Sequence, residues 1–209
     1  MNESDQLYRA RAGDTFALCE LLKDNLGRLQ RMIELRLDRR LAARIDTNDV
    51  LQEIQLCVLK EIANYPLQLN IPFYVWLRGI AVNKLHELHR YHLGTQKRSA
   101  TRERSIDRDL GFDLSSNVFA SQLADSDTSP SGVIMREEMK IRLENAIDQL
   151  LPSDKEIIAL RHFEQLSSVE CGYILQLGDK AASMRYLRAL RRLKEILIHE
   201  KFDVGLLDL

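Results

Sequence analysis

The chain has 209 residues, with 30 Lys and Arg against 31 Asp and Glu, and only 9 Gly and 4 Pro. A β-rich fold places Gly and Pro in turns every ~8–12 residues, so this scarcity excludes an all-β architecture and points to long helices. The formal net charge of −1 argues, as a total, against a nucleic-acid partner, whose binders carry a basic face. The opening stretch MNESDQLYRARAGD is polar, with no basic region leading into an apolar one. No apolar run approaches the ~18 residues of a membrane span, so a soluble cytoplasmic chain is expected. Cys19, Cys57 and Cys171 are odd in number and far apart, which suits buried free thiols in a reducing compartment.

The first block runs to Leu93. Asp14-Thr15 opens a helix expected to reach Ala43, and Asp46-Thr47-Asn48-Asp49 caps a second. Pro66 and Pro72 bracket a loop between two more, giving a bundle of about four helices. At about 100° per residue, Asp49, Gln52, Glu53, Leu56 and Lys60 share one face of the second helix, and Val50, Leu51, Ile54, Val58 and Ile62 the other. The second set is core. The first, an acid-and-amide ridge with an exposed Leu, suits either a partner surface or solvent. Beyond Pro72, Trp76, Leu77, Ile80, Ala81, Leu85 and Leu88 keep helical spacing and form core, with Arg78, Asn83, Lys84, Glu87 and Arg90 as the polar complement. Trp76 has a second reading as a wedge that stacks on bases. His86-Glu87-Leu88-His89 falls short of the zinc-protease helix, which needs histidines four apart and here has Arg90 at that place. A metal site on His86, His89 and His92 is the lesser reading beside solvated histidines, and a metal-dependent hydrolase a distant one. No Gly-rich phosphate loop or nucleophile elbow occurs, so neither catalysis nor a metal or cofactor is expected.

From 94 to 132 the basic KRSATRER gives way to DLSSNVFASQLADSDTSPSG, apolar only around Val118, Phe119 and Leu123, and a mobile linker is expected. Helical signals return at Val133, with Met135, Met139, Leu143, Ile147 and Leu150 in register, and Pro152-Ser153-Asp154 as stop and fresh cap. Further helices are expected at Lys155 to Phe163, Ser167 to Leu175 and Asp179 to about Glu200. The fold class is therefore all-α: two small helical domains, 1–93 and 133–209, on a flexible tether, 94–132.

Charge separates along this plan. Arg78 to Arg108 holds eight Lys and Arg against three acids, and Lys180 to Lys201 seven against two, whereas Asp109 to Met139 holds six acids and one Arg. Two basic segments and an acidic one cancel in the total. On the last helix Ala182, Tyr186, Ala189, Leu190, Leu193 and Leu197 form an apolar face, and Lys180, Ala181, Met184, Arg185, Arg188, Arg191 and Arg192 the opposite one. The short helix before it and the turn Gln176-Leu177-Gly178 complete a helix-turn-helix, which lays its second helix in the major groove. In that pose Lys180, Ala181 and Met184 reach base edges, while Arg185, Arg188, Arg191 and Arg192 meet phosphates.

The stretch AIDQLLPSDKEIIALRHFEQLSSVECGYILQLGDKAASMRYLRALRRLKEIL resembles, without a gap, region 4 of extracytoplasmic-function sigma factors of the sigma-70 superfamily. Leu151-Pro152, Glu156, Leu160-Arg161-His162, Leu166-Ser167, Glu170, Ile174-Leu175, Arg185 and Arg188 to Leu193 carry the match. Cys171-Gly172 departs from the usual Ile-Ala, and Gln176 from the usual Gly. A mid-helix Gly costs about 1 kcal/mol against Ala, so lowered stability is expected there. A second segment, DVLQEIQLCVLKEI followed by FYVWLRGIAVNKLHELHRY, resembles region 2 of the same family.

The resemblance implies a non-enzymatic subunit that lends promoter specificity to core RNA polymerase, without a cofactor. It implies minus-35 contacts from Lys180, Ala181, Ser183, Met184, Arg185, Arg188, Arg191 and Arg192, and polymerase contacts from Asp49, Gln52, Glu53 and Leu56. It also implies that Asn83, Lys84 and Arg90 lie near minus-10 promoter DNA, and that the loop Tyr65 to Phe73 captures a flipped base. Tyr65, Asn70 and Phe73 supply the ring faces and amide such a pocket needs. An anti-sigma protein is a further partner the family implies. The other reading is a stand-alone helix-turn-helix regulator with a sensor domain in the first block.

Overall fold

The scarcity of breakers translates into helices: in a computed structural model, which describes residues 2–37, 41, 45–93, 114, 116–124 and 133–206, every regular element among them is helical. The chain divides into two units, Met1–Asp113 and Leu114–Leu209.

The first unit contains α1 (Glu3–Arg11), α2 (Thr15–Arg36), α3 (Thr47–Glu61) and α4 (Phe73–Leu93). Asp14 caps α2, its carboxylate accepting from Phe16 N at 3.0 Å and Ala17 N at 3.1 Å and from Arg9 Nη2 at 2.6 Å. The backbone bond to Ala17 and then the Arg9 bond hold its pKa below the usual 3.8. Asp46 caps α3 through Asn48 N. The helix expected to reach Ala43 ends earlier, because Leu37 turns extended at ψ 117°; residues 38–40 and 42–44 lie outside the described ones. The core face of α3 is as its periodicity requires, with Val50, Leu51, Ile54, Val58 and Ile62 all buried. On α4, Leu77, Ile80, Ala81 and Leu85 are buried, while Trp76 and Leu88 are half-buried. Arg78 corrects the expectation of a polar outer face: it is 3% exposed, its guanidinium withdrawn from solvent with the stem, which a buried charge tolerates only when it is partnered. The thiols differ too. None of the three is in a disulfide, but only Cys171 is buried; Cys57 is half-buried and Cys19 exposed, on the outward side of α2 from Leu18 and Leu21.

The second unit begins inside the expected linker. Ser116–Ala124 forms α5 and packs on α6 (Val133–Asp148). Phe119 is fully buried, its ring edge-on to Phe163 at 4.5 Å, and Ser116 Oγ bonds Asp148 Oδ1. The Val118-Phe119 apolar spot is thus a docking face and not a feature of a free tether; 94–113 and 125–132 lie outside the described residues. Leu143, Ile147 and Leu150 are buried as their register demands, while the side chains of Met135 and Met139 lie outside the described ones. α7 (Pro152–Ile158) runs into a π-helical turn, Ala159–Phe163, and is followed by α8 (Ser168–Leu175) and α9 (Asp179–Leu206). Asp154 does not cap α7, whose N-cap is Leu151 without a side-chain bond. Arg161, in the π turn, donates to Leu166 O and lies over the Tyr186 ring of α9 at 5.5 Å.

Candidate nucleic-acid and partner interfaces

The α8–turn–α9 unit is built from backbone constraints. Ser167 and Glu170 form a reciprocal capping box: Ser167 Oγ accepts from Glu170 N at 3.2 Å, and Glu170 Oε2 from Ser167 N at 2.7 Å. Two orphan donors are satisfied and the start of α8 is fixed. At the other end Gln176 adopts the left-handed conformation (φ 53°, ψ 46°), and Leu177 N donates back to Gly172 O at 2.9 Å. A Cβ at position 172 would stand 2.6 Å from Leu177 O. The expectation that Gly172 merely weakens the helix is therefore reversed: the turn folds back onto the space its missing side chain leaves.

This turn directs α9 so that Ala182, Ala189 and Leu193 are buried. Tyr186 and Leu197 are half-buried, and Leu190, expected in the core, is 37% exposed. On the opposite face Lys180, Ala181, Met184, Arg188, Arg191 and Arg192 are exposed and Arg185 half-buried. Lys180, Ala181, Met184, Arg185, Arg188 and Arg192 come together along a groove of 540 Å³ whose other wall is Ser153, Asp154 and Leu177. Arg191 does not line this groove. Ser183 turns inward instead, its hydroxyl 2.8 Å from that of Ser168 on α8. Arg192 is also engaged, forming an ion pair with Asp154, whose side chain is 5% exposed. The acid wall was not foreseen. Its only signal, Asp154 in the first turn of a helix, reads equally as a cap.

On the first unit, Asp49, Gln52, Glu53 and Leu56 form one exposed line along α3, and Leu56 is 56% exposed. Leu59 adds a second exposed leucine one turn on, at 49%, which the sequence signals only through its spacing of three from Leu56. On α4, Asn83 and Arg90 are exposed, whereas Lys84 is drawn across to α3: its Nζ is 2.8 Å from Glu53 Oε2 and 3.2 Å from Glu87 Oε2. The Glu53 and Glu87 bonds raise its pKa.

The loop between α3 and α4 has an aromatic floor. Tyr65 and Phe73 are buried, and with the half-buried Trp76 they form a cluster of ring centroids 5.2–6.3 Å apart. Tyr65 OH donates to Ile71 O, and Glu3 of α1 accepts from Phe73 N at 3.1 Å. Burial, with the Glu3 charge nearby, pushes the Tyr65 phenol up to about 12. The expectation that Tyr65 and Phe73 offer free ring faces is thereby corrected, since both rings are buried and pack, tilted or edge-on, with each other and Trp76. What the loop exposes is Gln68, Leu69 at 62%, and Asn70 in a left-handed conformation at φ 46°.

No helix among the described residues is long and apolar enough to cross a membrane, and none of their His, Cys, Asp and Glu side chains form a group of three or more able to hold a metal ion. No family model matches the chain. No curated protein matches it in sequence. Among solved structures, that of CnrH in complex with the cytosolic domain of CnrY has the same fold, with a TM-score of 0.55 over 94% of this chain and 97% of that one. At 19% identity the likeness is one of fold.

Proposed function

We propose that the chain is a sigma factor of the extracytoplasmic-function type, a non-enzymatic cytoplasmic subunit that gives core RNA polymerase its promoter. The observation that carries this reading is the helix-turn-helix, in which a capped α8 and a close-packed turn leave Lys180, Arg188 and Arg191 exposed on the basic face of α9. In the reading, Lys180, Ala181 and Met184 meet base edges of the minus-35 duplex and Arg185, Arg188 and Arg191 its phosphates, while the line Asp49, Gln52, Glu53 and Leu56 docks on polymerase. Asn83 and Arg90 stand toward minus-10 DNA, and the exposed Leu69–Asn70 tip is the part of the α3–α4 loop that meets an unpaired base. Strand opening is driven by binding energy: capture of the base offsets an unstacking cost of a few kcal/mol without nucleotide hydrolysis. CnrH was solved with the cytosolic domain of CnrY, and we extend to this chain a protein partner of the anti-sigma kind.

The test mixes the purified chain with core polymerase and a supercoiled promoter library and maps transcript start sites. Discrete starts sharing two upstream elements are expected. Absence of a polymerase complex, with random starts, overturns the reading, and duplex binding without polymerase would then favour a stand-alone regulator.

A further inference from the structure

We propose that Lys84 is a positioning residue for the protein-docking line of α3, holding the Glu53 carboxylate in the pose that a partner meets, and is not a contact to nucleic acid. The proposal rests on the sigma-factor reading, in which that line faces polymerase. Two distances and three exposures carry it. Lys84 Nζ is 2.8 Å from Glu53 Oε2 on α3 and 3.2 Å from Glu87 Oε2 on its own helix, and its side chain is 16% exposed while theirs are 49% and 61% exposed. The cation therefore lies beneath and the two carboxylates outside. A phosphate approaching from solvent meets two negative groups first, and the triad as a whole carries a charge of −1. Recruiting Lys84 to DNA would break both ion pairs and leave Glu53 and Glu87 facing the phosphate, a like-charge arrangement that interfaces avoid.

The same geometry benefits a protein partner. An exposed Glu samples several rotamers, and a carboxylate fixed before encounter loses less freedom on binding. Lys84 fixes Glu53 from the neighbouring helix, so that Asp49, Gln52, Glu53 and Leu56 form one line before anything docks. A lysine is charged throughout the neutral range, and the bonds to Glu53 and Glu87 raise this one's pKa further.

Binding of the full-length chain to core polymerase is titrated for wild type, Lys84→Ala, Lys84→Arg, Glu53→Gln and the Lys84→Ala/Glu53→Gln double variant. Minus-10 DNA binding of each holoenzyme is measured against salt. Lys84→Ala is expected to weaken polymerase binding about threefold, the scale of a part-exposed ion pair. Lys84→Arg should restore it, and the double variant should bind no worse than Glu53→Gln alone. The DNA salt slope should not move. Additive losses overturn the proposal, as does full polymerase affinity in Lys84→Ala with a salt slope smaller by about 1, the mark of a lost phosphate contact. Failure of the wild-type chain to bind polymerase removes the sigma-factor reading itself and the proposal with it. Thermal unfolding of each variant separates misfolding from either result.

Discussion

Gly172 and Gln176 govern the turn that aims α9, and they act in opposite senses. Because a Cβ at 172 would lie 2.6 Å from a backbone oxygen, Gly172→Ala should destabilise by about 1–3 kcal/mol despite the better helix propensity of Ala, as overpacking does. Denaturant unfolding measures it, and a gain in stability would contradict the close approach. Gln176 sits in the left-handed region, where a side chain costs about 1–2 kcal/mol and Gly costs little. Part of that gain is lost to the freer unfolded chain, so Gln176→Gly should stabilise by about 0.5–1 kcal/mol, read by the same melt. Asp14 offers a pH readout. Its folded pKa is below 3.8, so its contribution is complete above that value and disappears as pH falls through the folded pKa. Asp14→Asn should keep the cap and lose this acid-range dependence; the difference between the two acid-unfolding curves checks it. None of these senses is visible in residue identity alone: a Gly in a helix reads as weakness until the backbone it admits is located.

At the scale of elements, periodicity told most where an element has one buried side. The inward sets of α3 and α4 were legible because five or six apolar positions repeat at helical spacing. α5 was not, since nine residues with one apolar cluster in a Ser- and Asp-rich stretch carry too few turns to separate a short docked helix from a tether. Its attachment is testable in the full chain. Phe119 is fully buried against Phe163, so Phe119→Ala should cost about 3–5 kcal/mol of the second unit's stability, followed by thermal unfolding, while a free tether would show no change. The α3–α4 loop failed for a different reason. An aromatic ring in a loop looks the same in sequence whether it waits for a base or closes the loop's own floor, and the bond from Tyr65 OH to Ile71 O that decides for the floor lies outside any periodic signal. The Glu53–Lys84 pair was equally hidden, because it joins neighbouring helices whose polar faces were each read alone.

For the whole molecule, a net charge of −1 is a sum over acidic and basic surfaces, to which the proposed function gives separate tasks that should separate in experiment. Arg185→Ala with Arg188→Ala should lower affinity for minus-35 duplex and reduce its salt slope by about 2, leaving polymerase binding intact. Asp49→Ala alone should do the reverse. Titrations of both variants against both partners check this, and mixed effects would mean that the two surfaces are not independent. The ion pair between Arg192 and the buried Asp154 alters how that basic face is counted. An arginine that meets a phosphate releases condensed counterions, and their entropy drives association. Arg192 already has its anion when the domain folds. Its exchange of small ions for a fixed charge belongs to the folding equilibrium, so in the proposed function α9 would meet DNA with one arginine fewer than its sequence displays.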